Sequence, residues 1–237
     1  MINMYDNVIK SVKEKLLQFL RENKRMFFNE RDLQVYLTLK LEKTGDFDEV
    51  FLEYHLPKGF NKKFDDGYAD WQTETPSIDI VLKIKGAEKY IAIELKNKLK
   101  AIKSTYSRFG QIENDILLVK NQSAQNIGRY QFWKDVKRLE LLKESYENVI
   151  GGIALFLTND TNYLNTTKGA DYEAFSMTDR IATGYLDWKQ PNKINKNGKI
   201  TKKLPSIRLS NEHTPEWEKE IFKIQENHFH CCTVLVL

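Results

Sequence analysis

Two runs of alternating apolar and polar residues dominate the middle of the chain. Ile78, Ile80, Leu82 and Ile84 alternate with Asp79, Val81, Lys83 and Lys85. Ile91, Ile93 and Leu95 alternate with Tyr90, Ala92, Glu94 and Lys96. A period of two predicts strands. Lys85-Gly86-Ala87-Glu88 between them, with Gly86 as turn residue, makes a hairpin over 78–96. A two-residue or a four-residue loop gives the same register: Lys83 opposite Tyr90, Val81 opposite Ala92 and Asp79 opposite Glu94.

Helical spacing of Val8, Ile9, Val12, Leu16, Leu17, Phe19 and Leu20 predicts a helix over 3–22. Asn29 is placed to cap a second helix over 30–43, with Leu33, Tyr36, Leu37 and Leu39 inward. Val50–His55 reads as a strand and 57–75 as a loop. Residues 108–147 read as helix in two pieces, broken near Asn121–Gly128. The apolar run Val149–Leu157 predicts a strand covered on both faces. Residues 158–212 read as irregular, Pro215–Lys223 as a helix and Phe229–Leu237 as a last strand.

Length and composition bound these elements rather than change them. The 237 residues suit one domain, and 41% hydrophobic content supports a packed core. With 37 basic against 33 acidic residues the net charge is only +4, so a nucleic-acid surface would have to come from local segregation of charge. No apolar run approaches the ~20 residues of a membrane span, and Met1–Lys10 has no signal-peptide apolar region. The only cysteines, Cys231 and Cys232, are adjacent, which excludes a disulfide framework. The expected location is the cytoplasm, without membrane partners. No GxxxxGK[ST] phosphate loop is present.

The hairpin register carries the chemistry. Asp79 and Glu94 would face each other, with Lys96 on the same side because residues i and i+2 of a strand share a face. Directly opposed like charges destabilise a sheet. A cation between them removes the conflict, and carboxylate oxygens with a backbone carbonyl, here that of Leu95, suit Mg²⁺ or Mn²⁺. Such an ion polarises a phosphate and acidifies a bound water, while Lys96 orients the water or stabilises charge on the phosphate.

Pro76, Asp79 and the Glu94-Leu95-Lys96 triplet resemble the signature of the PD-(D/E)XK nuclease superfamily, with Pro76 three residues before the acid. The predicted order of helix, three strands, helix and strand over roughly 29–157 is similar to that family's core. The resemblance implies an α/β fold of the restriction-endonuclease-like type, an αβββαβ core with a central mixed sheet flanked by helices. Residues 158–237 would form a C-terminal elaboration of a single nuclease-like domain. It implies a Mg²⁺-dependent endonuclease with Asp79, Glu94 and Lys96 catalytic and Asp79, Glu94 and the Leu95 carbonyl at the metal. The expected partner is nucleic acid, with DNA foremost, and a homodimer would suit cutting of two strands. A non-catalytic nucleic-acid-binding module on the same fold and a phosphodiesterase acting on a small nucleotide are the alternatives.

Glu30, at the start of the second helix, is the candidate for a further acid at the metal, since the family often adds one there. Its other reading is a first-turn acid favoured by the helix dipole. Gln125 and Arg129, four residues apart on one helix face, are candidates to contact a phosphate, whereas Asp135 and Arg138 read as a surface ion pair. Residues 189–208 hold Lys196, Lys199, Lys202 and Lys203 around the turn signal Asn197-Gly198, with no acid, and form a candidate nucleic-acid-binding hairpin. His228, His230 and Cys232 alternate on the last strand, but a missing fourth ligand argues against zinc.

Overall fold

The computed structural model describes the chain except residues 1–3, 24, 58–59, 61–76, 123, 179, 191, 195–199 and 203. Pro76, most of the loop predicted over 57–75, and Lys196, Lys199 and Lys203 therefore lie outside the described residues. Lys202 falls in a described strand, with its side chain outside them.

Two helices open the chain, α1 (Met4–Arg21) and α2 (Glu30–Glu42), and an antiparallel meander follows: β1 (Phe47–His55), β2 (Ser77–Ile84) and β3 (Tyr90–Asn97). A side hairpin, β4 (Ile102–Arg108) with β5 (Gln111–Val119), precedes the long helix α3 (Gln125–Ser145) and β6 (Val149–Thr158). Beyond lie β7 (Ala182–Leu186), β8 (Asn192–Ile194), β9 (Ile200–Lys202), β10 (Ile207–His213), β11 (Glu216–Ile224) and β12 (Asn227–Val236). The central sheet has six strands in the order β1-β2-β3-β6-β12-β11. Among the described strands only β3 and β6 run parallel, so this is an α/β protein with a mixed sheet.

Helices cover both faces. Ile9, Leu16 and Leu20 of α1 and Leu33, Leu37 and Leu41 of α2 pack with Ile80, Leu82, Ile91, Ile93 and Leu95. Phe132, Trp133, Val136 and Leu139 of α3 pack with Val81, Ala92, Ala154, Phe156 and Cys232 on the other side. α3 rides close to the sheet because β6 offers glycine there. A side chain at Gly152 would come within 2.8 Å of Leu139 and 3.0 Å of the Ala92 carbonyl oxygen. β6 is buried along nearly its whole length, as its unbroken apolar run predicts.

Several expected elements differ. Residues 102–119 form a hairpin, so the helix expected from 108 begins only at Gln125. Bulges between Ile102 and Lys103 and between Ser104 and Tyr106, with a positive φ at Asp115, break the period of two that would have marked the hairpin. β11 replaces the helix expected over 215–223. Glu220 takes φ +54° and the register slips between Glu218 and Phe222, so Ile221 and Phe222 are both buried in succession. That pairing with β12 overrides a charge pattern that reads as helical. On α2 Leu39 is 51% exposed, and Gln34 and Thr38 occupy inward positions instead. Among the described residues of 158–212 there are four strands, and β8 and β9 pair antiparallel on either side of the Asn197-Gly198 turn signal.

Candidate functional site

The hairpin register is the expected one: Lys83 pairs with Tyr90, Val81 with Ala92 and Ile80 with Ile93. A four-residue loop closes it, since Ile84 N–H donates to the Lys89 carbonyl. The ladder stops at Ile80, and there β2 turns. Ile80 packs with the α1–α2 core while Ile78 packs with the α3 core, so the strand rotates at Asp79. Asp79 uses its own carboxylate in place of a ladder carbonyl: Oδ2 accepts the Leu95 N–H at 2.6 Å. Its carbonyl accepts from Gln34 Nε2 at 2.6 Å, and that amide also donates to Glu53 Oε1 at 3.2 Å. Gln34, a turn beyond Glu30, thus fixes the acid's backbone.

Glu94 and Lys96 alternate with Ile93 and Leu95 of the α1–α2 core, so their side chains face α3. The residues that meet them there are Arg138 and Asp135. Arg138 Nη1 lies 2.7 Å from Glu94 Oε1 and 3.4 Å from the Ser77 carbonyl. Lys96 Nζ lies 3.0 Å from Asp135 Oδ2, 3.6 Å from Glu30 Oε1 and 3.1 Å from the Leu95 carbonyl. Glu30 Oε2 accepts the Asn97 N–H at 3.1 Å. Asn29 caps α2 by accepting from the Asp32 N–H, which starts the helix where Glu30 reaches the end of β3. Asp79, Glu94, Lys96 and Glu30 are therefore brought into one cluster.

Asp135 and Arg138 were expected to pair with each other at the surface. Asp135 is 4% exposed, and each instead pairs with the β3 residue opposite it. The signal was in the helix spacing. Asp135 is three residues past Phe132 and four before Leu139, both buried, so it had to point inward.

Burial dominates the electrostatics. It pushes the Asp79 carboxyl up to about 6, against the pull of Lys96 and the Leu95 amide. It holds Glu94 well above the usual carboxylate range; the Arg138 guanidinium opposes this, and Asp135 and Asp79 reinforce it. Lys96 is driven the other way: burial disfavours its charge, but Asp135, Glu30, Glu94 and Asp79 together raise it above the ordinary lysine value. Arg138 is raised likewise, by Glu94 and Asp135 against burial. Four carboxylates face two cations, which leaves the cluster short of positive charge.

The donor set suits a hard divalent ion. Asp79 Oδ1 and Glu94 Oε2 receive no hydrogen bond among the described residues, and carboxylate oxygens of this kind are donors such an ion accepts. Among the described residues no group of three or more His, Cys, Asp or Glu side chains is gathered closely enough to hold a metal unaided.

The helix pair expected to contact phosphate is used internally. Arg129 is 2% exposed; its Nη2 donates to the carbonyls of Asn162, Tyr163 and Asn165, and its guanidinium lies 5.3 Å from the Tyr163 ring centroid. Gln125 Nε2 donates to Asp160 Oδ2 at 2.8 Å. Both tie the N-terminal half of α3 to the segment after β6, and neither bonds to the acid cluster. His230 accepts the Glu220 N–H at the β11 bulge, and Cys231 and Cys232 are buried free thiols.

Matching against protein-family models, curated proteins and solved structures finds no counterpart for this chain. Its class therefore rests on the molecule itself: an α/β protein with a mixed sheet and a buried cluster of acids, lysine and arginine where β2 and β3 part. No helix among the described residues is long and apolar enough to cross a membrane.

Proposed function

We propose that this protein is a Mg²⁺-dependent nuclease that hydrolyses phosphodiester bonds in DNA, on a restriction-endonuclease-like αβββαβ core. The observation that carries the reading is the convergence of Asp79, Glu94 and Lys96 at the parted ends of β2 and β3, with Glu30 from α2 beside them. The order α2-β1-β2-β3, followed after the β4–β5 hairpin by α3 and β6, with β6 parallel to β3, supports the fold assignment.

Asp79 Oδ1, Glu94 Oε2 and the Leu95 carbonyl would hold Mg²⁺ or Mn²⁺. The ion would supply a polarised phosphate and a more acidic water. The chain's own groups do the rest. Lys96 stays protonated throughout, held by Asp135 and Glu30 beside the two acids. It orients the attacking water or stabilises charge as it develops on the phosphate. Gln34 and the Leu95 amide keep the Asp79 carboxyl from turning away. Arg138 neutralises Glu94 until a cation does so.

The test is incubation of supercoiled plasmid with Mg²⁺, Mn²⁺, Ca²⁺ or EDTA. Cleavage is expected with the first two, little with Ca²⁺ and none with EDTA, and Asp79→Asn and Glu94→Gln should each remove most of it. Undiminished cutting in excess EDTA, or by both variants, refutes the mechanism. Binding of DNA without cutting under any metal would make the protein a binding module instead.

A further inference from the structure

The acid cluster opens to solvent through a cleft of about 240 Å³ between α2, the end of β3 and α3. Lys98 lines that cleft alongside Lys96. Lys96, Lys98 and Lys100 follow one another at two-residue intervals as β3 runs out. The outer two are ion-paired: Lys96 with Asp135 and Glu30, and Lys100 with Asp160 at 2.9 Å. Lys98, between them, makes no ion pair and no side-chain hydrogen bond among the described residues. Its backbone is fixed, since its N–H donates to the Leu157 carbonyl and its own carbonyl accepts from Thr158 Oγ1.

A half-buried ammonium with no direct partner is unfavourable. Burial holds its pKa below the ordinary lysine value despite the attraction of Glu30 and Asp135. Of these three lysines, Lys98 alone lines the cleft with an ammonium that has no direct partner among the described residues, placed to meet a phosphate oxygen. Residues two apart on a strand are about 6.6 Å apart, similar to the spacing of neighbouring phosphates along a DNA strand.

We propose that Lys98 binds a non-bridging oxygen of the DNA phosphate next to the one being hydrolysed. This rests on the nuclease reading for the neighbouring phosphate, but a binding measurement tests it without any cleavage. The assay uses the Asp79→Asn protein, with EDTA present, and a short fluorescein-labelled duplex titrated by anisotropy over a range of salt. Into that background go Lys98→Ala, Lys98→Arg and, as a control of equal charge, Lys10→Ala on the exposed face of α1 across the sheet.

Lys98→Ala should weaken binding several-fold and flatten the slope of log affinity against log salt by about 0.9, the signature of one lost phosphate contact. Lys98→Arg should bind nearly as tightly as the parent, and Lys10→Ala should change neither quantity. In the cleaving protein, Lys98→Ala should raise KM more than it lowers kcat. If Lys98→Ala and Lys10→Ala behave alike, or if no duplex binds at all, the proposal is overturned. If Lys98→Ala loses affinity as described while the parent with intact Asp79 never cuts, Lys98 stands as a phosphate contact and the nuclease reading fails.

Discussion

Asp79→Asn gives the sharpest test of the buried site, because the structure sets both the sign and the size of its effect. Burial raises the carboxyl from its ordinary 3.8 to about 6. A folded-state pKa above the unfolded one means that the folded protein holds the proton more tightly. The Asp79 contribution is neutral below about pH 4, grows unfavourable as pH rises from about 4 to about 6, and stays constant above. At about 1.4 kcal/mol per pH unit the penalty reaches at most about 3 kcal/mol at pH 8. Asparagine keeps an oxygen for the Leu95 N–H but carries no charge, so it should remove the penalty. At about 2–4 °C per kcal/mol for a chain of this size, the variant should melt up to about 10 °C above the wild type at pH 8. The two should converge near pH 4. Other carboxylates titrate in the same range, so the quantity to plot is the difference in Tm between the proteins, measured by calorimetry in EDTA at intervals from pH 4 to 8. Added Mg²⁺ should then raise the wild-type Tm and leave the variant's almost unmoved. A variant that melts at or below the wild type throughout would show that Asp79 is not a strained buried charge, and the argument for a cation at this position would go with it.

Two further outcomes follow from the same packing. Arg138→Met should destabilise the protein by about 3–5 kcal/mol at pH 8, since it leaves the Glu94 carboxylate buried and unpaired; adding Glu94→Gln should recover much of the loss in urea melts, and independent effects of the two changes would contradict the pair. Glu140 accepts from Ser210 N–H, Asn211 N–H, Lys137 Nζ and His213 Nε2, and although burial pushes its carboxyl up, these partners bring it down to about 2. Its stabilisation is present above its ordinary 4.5 and fades as pH falls toward 2, so Glu140→Gln should cost about 3–5 kcal/mol at neutral pH and flatten the acid side of the stability curve; an unchanged curve would refute it.

Much of the site could be read from the chain because it lies on a regular hairpin. The period of two fixed the faces of β2 and β3, the turn at Gly86 fixed the register, and the Asn29 cap put Glu30 at a helix start. The rotation of β2 at Asp79 was hidden, because it depends on the Leu95 amide becoming available where the ladder stops. The partners on α3 were hidden for a different reason. Buried residues run nearly all the way round that helix, from Gly128 to Leu142. Round a helix with no clear polar side, only the spacing from Phe132 and Leu139 marks the direction of Asp135. The same crowding concealed the internal role of Arg129. Strand β11 escaped because its register against β12 slips by two residues between Glu218 and Phe222, around the positive φ of Glu220.

The place of β12 has a consequence for how the protein is made. It is an interior strand, between β6 and β11, yet it comes from residues 227–236, while β6 is complete at 158. A ribosome adding about 5–20 residues per second leaves β6 with an unpaired edge for roughly 4–16 s after it has emerged. That edge is long and apolar, the kind that recruits another chain. Synthesis of this protein should therefore depend on chaperones that shield nascent strands, and a fragment cut after β6 should precipitate where the whole chain does not.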